Sequence, residues 1–497
     1  MFIIIFTVFL ITHLYLIFSS RLLPWIDLPH HLAAATILRY YGEGSNLFAQ
    51  YFTIESLFNS NVFHPIFCSL KIFPSVEIAN KFYFALYTIL LPVSILLLIR
   101  KVGGNQWFSL LSFLIIYNVS LVWGFVGFTM AIPLIVLLIY YLHDYFDNKS
   151  LWKRIVLSII FFFLFAVHTI AALFGLFVFA VWCIYSNRDS FKRSILELTV
   201  ILPFLCFVLI WYLSKQTHNE FMLFNFLIDY YSSTYFSTIY ERGSLLFLDT
   251  FRLFDGFRGF LIGSVFTLFI VIPGLYGLFK FYRKQANILI PKNSALIIVF
   301  VLCSLTCFCF LPIKLPYFYP LYQRFSTFVL IAFIIIGSLY YTGKRERLLI
   351  MTFIFMCFTY FMLWMDYFRD FQEENRDFNK QMFSEITGDK SLSGIVYEQD
   401  FRGFPVYIHF PNYYIIWNKG IAVTKIVDYK YNIIKRRVSK KELPPYVEVL
   451  ADRPTYDGRY DEMDYLLIRG KVHADIKGRF NFNIPLKSAG RWLLYGK

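Results

Sequence analysis

Long runs without a formal charge, each stopped by a short basic segment, constrain this chain more than any other feature. Residues 102–142 contain no Asp, Glu, Lys or Arg, and neither do residues 155–187. A membrane-spanning helix needs about 20 predominantly apolar residues, so such runs are read as spans. The composition agrees: 58% of the 497 residues are hydrophobic, 60 are Phe, and the mean hydropathy is +0.57. No soluble domain could cover that much apolar surface. The net charge of +15 does not point to nucleic acid. The Lys and Arg residues fall in short loops between apolar runs, where they set orientation across a bilayer. Membrane lipids, not nucleic acid, are the expected surroundings.

Eleven spans are expected: 2–20, 79–99, two within 102–142, two within 155–187, then 194–213, 259–279, 294–311, 324 to the basic group at Lys344, and 348–365. Residues 2–18 resemble the apolar core of a signal peptide, but no basic segment precedes them and no small-residue cleavage site follows, so they read as a retained span. The run 155–187 has basic flanks on both sides (Lys153 and Arg154; Arg188, Lys192 and Arg193), which requires a hairpin. Its 33 residues are too few for two full spans, so the tip at His168 and Thr169 should lie below the surface, facing protein or a watery cavity. Glu197, at a span end, is expected to snorkel. The basic loops place the N-terminus inside, the C-terminus outside, and loops 21–78 and 214–258 on the outer side. Within 21–78, the stretch from Phe48 to Val76 is amphipathic and suits the membrane interface. The seven Cys show no zinc or disulfide spacing.

Composition changes at Asp366. Residues 366–386 read as a charged helix leaving the membrane. Alternating runs such as 406–410 and 465–468 follow, separated by Gly and Pro, as in strands. The expected fold is mainly α: a polytopic helical bundle over 1–365, with a small extracytoplasmic α/β domain over 366–497.

The chemistry concentrates in residues 24–31, Pro-Trp-Ile-Asp-Leu-Pro-His-His, where the chain leaves its first span. Asp27 suits a helix N-cap and Pro29 the first turn. His30 and His31 then follow Asp27 at +3 and +4, so the three can share a face. The alternative is that Asp27 only caps. On the same expected side lie His64, His168, Lys314, Arg324, Arg252, Asp255 and Arg258, and from the tail Arg402, His409 and Tyr413 either face the cavity or belong to ordinary domain surface. An acid near imidazoles and cations fits sugar transfer from a lipid phosphate. Asp27 would act as general base, with His31 and His168 as catalytic partners. His30, Arg324, Lys314 and Arg258 would bind substrate and the leaving phosphate. Asp27, His31 and His168 form a candidate set for a divalent metal ion.

With these residues in hand, the layout resembles the GT-C superfamily of polytopic glycosyltransferases, in a bacterial branch. The resemblance rests on "PWIDLPHHLA" after the first span, "FAVHTIAALFG" at the hairpin, "PLYQRFSTF" at a late span, the "WGFVGF" turn, and tail segments "VYIHFPNYYIIWNKG" and "RWLLYGK". It implies a polyprenyl-phosphate-linked sugar donor, an envelope glycan, lipid or protein acceptor, and action on the outer face of the bacterial cytoplasmic membrane. One departure stands out. Many such enzymes carry two acids in the first outer loop, whereas Asp27 stands alone and Glu43 and Glu55 are distant. Either a histidine does the second acid's work, or Asp27 is not the catalytic acid. Two rival readings are a transporter or flippase of lipid-linked glycans and a non-catalytic membrane scaffold. A transporter should show internal repeats and charges within the spans. The chain shows no repeat and almost no charge away from the span ends.

Overall fold

The computed structural model describes residues 1–56, 58–216, 237–249, 256–285, 292–314, 319–340, 346–422, 432–437, 462–471, 480, 482 and 484–497. The chain forms two compact units. The first comprises 1–14, 86–121 and 127–363; the second comprises 15–85, 122–126 and 364–497. The second unit therefore combines the tail with the first outer loop, a wider grouping than residues 366–497.

The protein is an integral membrane protein, mainly helical. Among the described residues, eight helices are long and apolar enough to cross a membrane, from α1 (Phe2–Ser19) to Glu346–Glu374. All eleven expected spans fall on helix, but three are short. Ala295–Phe310 and Gln106–Val122 are shorter apolar helices, and Leu151–Val167 has 17 residues. The expectation of two full spans within 102–142 is corrected. Gln106–Ile115 is a 3-10 helix, followed by a four-residue turn of α-helix. Asn118 explains the break. Its amide donates to the Ile115 carbonyl at 3.0 Å and to the Tyr87 hydroxyl at 2.8 Å, and its Oδ1 accepts from the Ser120 amide. A side chain that captures backbone groups in this way competes with the helical ladder.

In the first unit, Phe128, Phe174, Phe325 and Phe328 are buried against one another. Burying a Phe side chain contributes about 1.5–3 kcal/mol. Exposed Leu202, Leu205, Leu209, Ile210 and Leu213 lie along one helix. So large an apolar patch would aggregate in water and suits lipid instead. Glu197 does not snorkel. It is buried, accepting from the Tyr145 hydroxyl and the Lys149 ammonium, each at 2.5 Å. Paired this way, the carboxylate avoids the several kcal/mol cost of an uncompensated buried charge.

In the second unit, a five-stranded mixed sheet has the order β3-β2-β5-β7-β6. The strands are β2 (Ser391–Val396), β3 (Ile421–Ala422), β5 (Tyr465–Arg469), β6 (Lys487–Ala489) and β7 (Trp492–Gly496). Strand β2 runs parallel to β3 and β5; β7 runs antiparallel to β5 and β6. A separate pair joins the first outer loop to the tail: β1 (Phe52–Ile54) lies antiparallel to β4 (Ile434–Arg436). One sheet face buries Ile395, Leu466, Ile468 and Tyr495. Phe410 and Tyr407 pack on Trp492. Strand β5 matches the expected 465–468 run. Residues 406–410 do not form a strand; they turn into a short 3-10 helix, Phe410–Asn412. The charged helix expected from 366 is the end of one continuous helix, Glu346–Glu374. Arg402, in a left-handed backbone conformation, bonds Asp366 and Asp370 on that helix.

Candidate active site

The loop carrying Asp27 is held from several sides, all within the second unit. Trp25 is buried between Phe84, Trp364 and Phe368. Gln372 Oε1 accepts from the backbone amides of Arg21 and Leu22. The backbone amides of Ile26 and Asp27 donate to the carbonyls of Val122 and Trp123, each at 3.1 Å. This close approach requires glycine at 124. Its φ is +79°, and a Cβ there would lie 2.6 Å from the Asp27 nitrogen. The "WGFVGF" turn thus braces the acid's backbone.

Helix α2 (Leu28–Tyr40) begins as expected, with Pro29 in its first turn and Asp27 at the N-cap position. The side chain of Asp27 makes no capping hydrogen bond, and the residue's backbone is helical. Instead Oδ1 lies 3.2 Å from His409 Nε2. A carboxylate only accepts, so in this contact Nε2 carries the hydrogen. The Asp27 side chain keeps 27% of its surface exposed, whereas His409 keeps 1%. The capping role considered from sequence is therefore not what this side chain performs.

His30 turns inward. Its ring lies 3.6 Å, centroid to centroid, from that of His409, and the Asn412 amide donates to its Nδ1 at 3.2 Å. His31 faces another way. Its ring is 5.6 Å from that of His64, and burial pushes its pKa down to about 4, against the upward pull of Asp27. His64 is fully enclosed. Burial lowers its pKa to about 3, with His31 adding to the depression and the Asn80 bond opposing it. Its Nε2 contacts Asn80 Oδ1 at 3.0 Å and Cys68 Sγ at 3.4 Å. Both imidazoles are thus neutral near pH 7, able to donate and accept hydrogen bonds.

His168 and Arg324 meet in the first unit. The expected hairpin is present, with Leu151–Val167 and Thr169–Ser186 turning at His168. Arg324 donates through Nη1 to His168 Nε2 at 3.2 Å and through Nε to the Pro320 carbonyl at 2.7 Å. Both side chains are buried, around the Phe128 ring. Gly127 permits the turn: a Cβ there would lie 2.5 Å from the Val167 carbonyl.

Lys314 and Arg258 are exposed, Arg258 in the first turn of Gly256–Gln285. Arg252 and Asp255 lie outside the described residues. Glu43 is paired with Lys71 at 3.3 Å. Tyr413 is a buried packing residue against Phe378, Phe410 and Trp417. The metal set of Asp27, His31 and His168 is corrected. Among the described residues no three His, Cys, Asp or Glu side chains gather to hold an ion. The first two belong to one unit and His168 to the other, where Arg324 engages it. Sequence reasoning offered His409 as a tail residue that could face the site, and it missed Gly124, which braces the Asp27 backbone, and Asn412, which bonds His30 and His409. No spacing rule links position 27 to position 409.

Comparison with protein families finds no match, and comparison with curated proteins finds none either. Among solved structures, the fold is similar to that of ArnT from Cupriavidus metallidurans bound to undecaprenyl phosphate. The TM-score is 0.60 at 10% identity, covering 99% of this chain and 97% of ArnT. The likeness extends over both units, and the chain has an ArnT-like fold: a membrane helical bundle with a small sheet toward its C-terminus.

Proposed function

We propose that this protein is a membrane glycosyltransferase that moves a sugar from a polyprenyl-phosphate donor to an envelope glycan, lipid or protein acceptor. The observation that carries the reading is the ArnT-like fold over 99% of the chain, in a structure where ArnT is bound to undecaprenyl phosphate. The local geometry supports it, since Asp27 is partly exposed and not spent on capping its helix.

In this reading Asp27 removes the proton from the acceptor nucleophile as its lone pair attacks the anomeric carbon. The bond from that carbon to the phosphate oxygen breaks, and polyprenyl phosphate leaves with the electron pair. Neutral His31, beside Asp27, donates or accepts a hydrogen bond to the sugar or acceptor. Arg324, with its fork set by Pro320 and His168, carries a charge suited to a phosphate oxyanion, as do Lys314 and Arg258. No step passes through a metal ion. The reaction would take place on the outer face of a bacterial cytoplasmic membrane, with the N-terminus inside and the tail outside.

The test uses the full chain in proteoliposomes containing envelope lipids, with undecaprenyl-phosphoryl glucose, mannose and arabinose carrying labelled sugars. Transfer of label from at least one donor, with release of undecaprenyl phosphate, is expected. Binding and flipping of the donors with the sugar still attached would favour a transporter instead.

A further inference from the structure

The tail residue His409 lies against the acid that the proposed chemistry depends on. Its Nε2 is 3.2 Å from Asp27 Oδ1, and the ring is 1% exposed. It sits just before the short helix Phe410–Asn412, and that helix is anchored. Phe410 is buried flat against Trp492 at 5.6 Å, and Pro411 packs where a side chain on Gly394 of β2 would stand. Asn412 ties the group together: its amide donates both to the His409 carbonyl at 2.9 Å and to His30 Nδ1 at 3.2 Å. The His30 ring in turn lies against the His409 ring, tilted by 44° with centroids 3.6 Å apart. The imidazole is thus fixed by packing and by backbone, on a sheet built from the tail.

We infer that His409 is a positioning residue for Asp27, so that the C-terminal segment is part of the catalytic machinery and not an accessory domain; the inference rests on Asp27 being the base. By donating Nε2–H to Oδ1, His409 fixes the carboxylate's rotation and directs Oδ2 outward, toward the acceptor. Among the described residues no side chain bonds Oδ2. This arrangement also accounts for the lone acid. With no second carboxylate adjacent to Asp27 in sequence, a buried imidazole from the other end of the chain orients the first. His30 and Asn412 hold His409 and touch no substrate in this scheme. A misplacement of about 1 Å in a reacting group can cost about 10²-fold in rate, which sets the expected effect.

The test compares His409→Ala, His409→Gln and Asp27→Asn in the full chain, with whichever of the three labelled donors the wild type turns over. His409→Ala should lower kcat by about 10²-fold and leave the donor KM and the binding of undecaprenyl phosphate within about twofold. His409→Gln places an amide Nε2–H where the imidazole Nε2–H was and should recover most of that loss. Wild-type turnover in His409→Ala overturns the inference while leaving Asp27 as the base. So does His409→Gln no better than His409→Ala, or a loss of undecaprenyl phosphate binding in both. An active Asp27→Asn overturns the base assignment itself and is recognised separately. A thermal-unfolding double-mutant cycle between Asp27→Asn and His409→Ala needs no donor. Coupling between the two sites is expected, and additive effects contradict the contact.

Discussion

At the scale of the residue, burial decides which histidines can act as bases. His64 is enclosed beside Asn80 and Cys68, and its pKa falls from 6.5 to about 3. The unfolded chain therefore binds a proton that the folded one refuses between those two values. Stability from this group is fully present above pH 6.5 and is lost as pH falls toward 3, at up to about 1.4 kcal/mol per pH unit. His31 adds to the same trend down to about pH 4. Thermal unfolding of the wild type between about pH 7 and about pH 5 should show this loss, and His64→Gln should show a smaller one. An equal loss in both would mean that His64 is not the enclosed neutral group described here. Sequence spacing placed Asp27, His30 and His31 on one short helix. It could not separate their roles, because adjacent side chains on a helix diverge and what each meets comes from elsewhere in the chain. His30 meets residues 409 and 412, and His31 meets residue 64.

At the scale of the element, turns carry more than their composition announces. Gly124 allows the backbone of residues 122–124 to bond that of residues 26–27. Gly124→Ala should lower thermal stability and turnover together, because the change meets both a positive φ and the Asp27 backbone. Ala at the exposed Gly44, where an added Cβ meets nothing within 4 Å, is the control expected to do neither. Retained stability and turnover in Gly124→Ala would show that the brace is unnecessary. The His168 hairpin was legible from charge alone, since two basic flanks around a run too short for two full spans leave few alternatives. The break after Gln106–Ile115 was not, because it depends on one Asn118 side chain bonding backbone groups. The 406–410 run alternates like a strand, yet it turns toward the Phe410–Asn412 helix and contributes His409. Period-2 patterning cannot distinguish a strand from a turn packed into an aromatic core.

At the scale of the whole molecule, apolar runs and basic loops made the membrane bundle legible. They did not reveal that the first outer loop folds with the tail. That grouping depends on pairings such as β1 with β4, across more than 370 residues, and on the bonds of Arg21 to the Asn375 and Phe378 carbonyls. Orientation is open to direct test. With exposed Cys206 and Cys309 replaced by Ser, a cysteine in place of exposed Ile484 should react with a membrane-impermeant maleimide from outside intact cells. Labelling only after lysis would reverse the proposed topology. The central claim is that Asp27 is the base of a lipid-phosphate sugar transfer, and one comparison addresses it most directly. Release of undecaprenyl phosphate from a labelled undecaprenyl-phosphoryl sugar is measured for the wild type and Asp27→Asn in matched proteoliposomes. The variant should still fold and should lose turnover by at least about 10²-fold. Asp27→Asn turning over at the wild-type rate would contradict the claim.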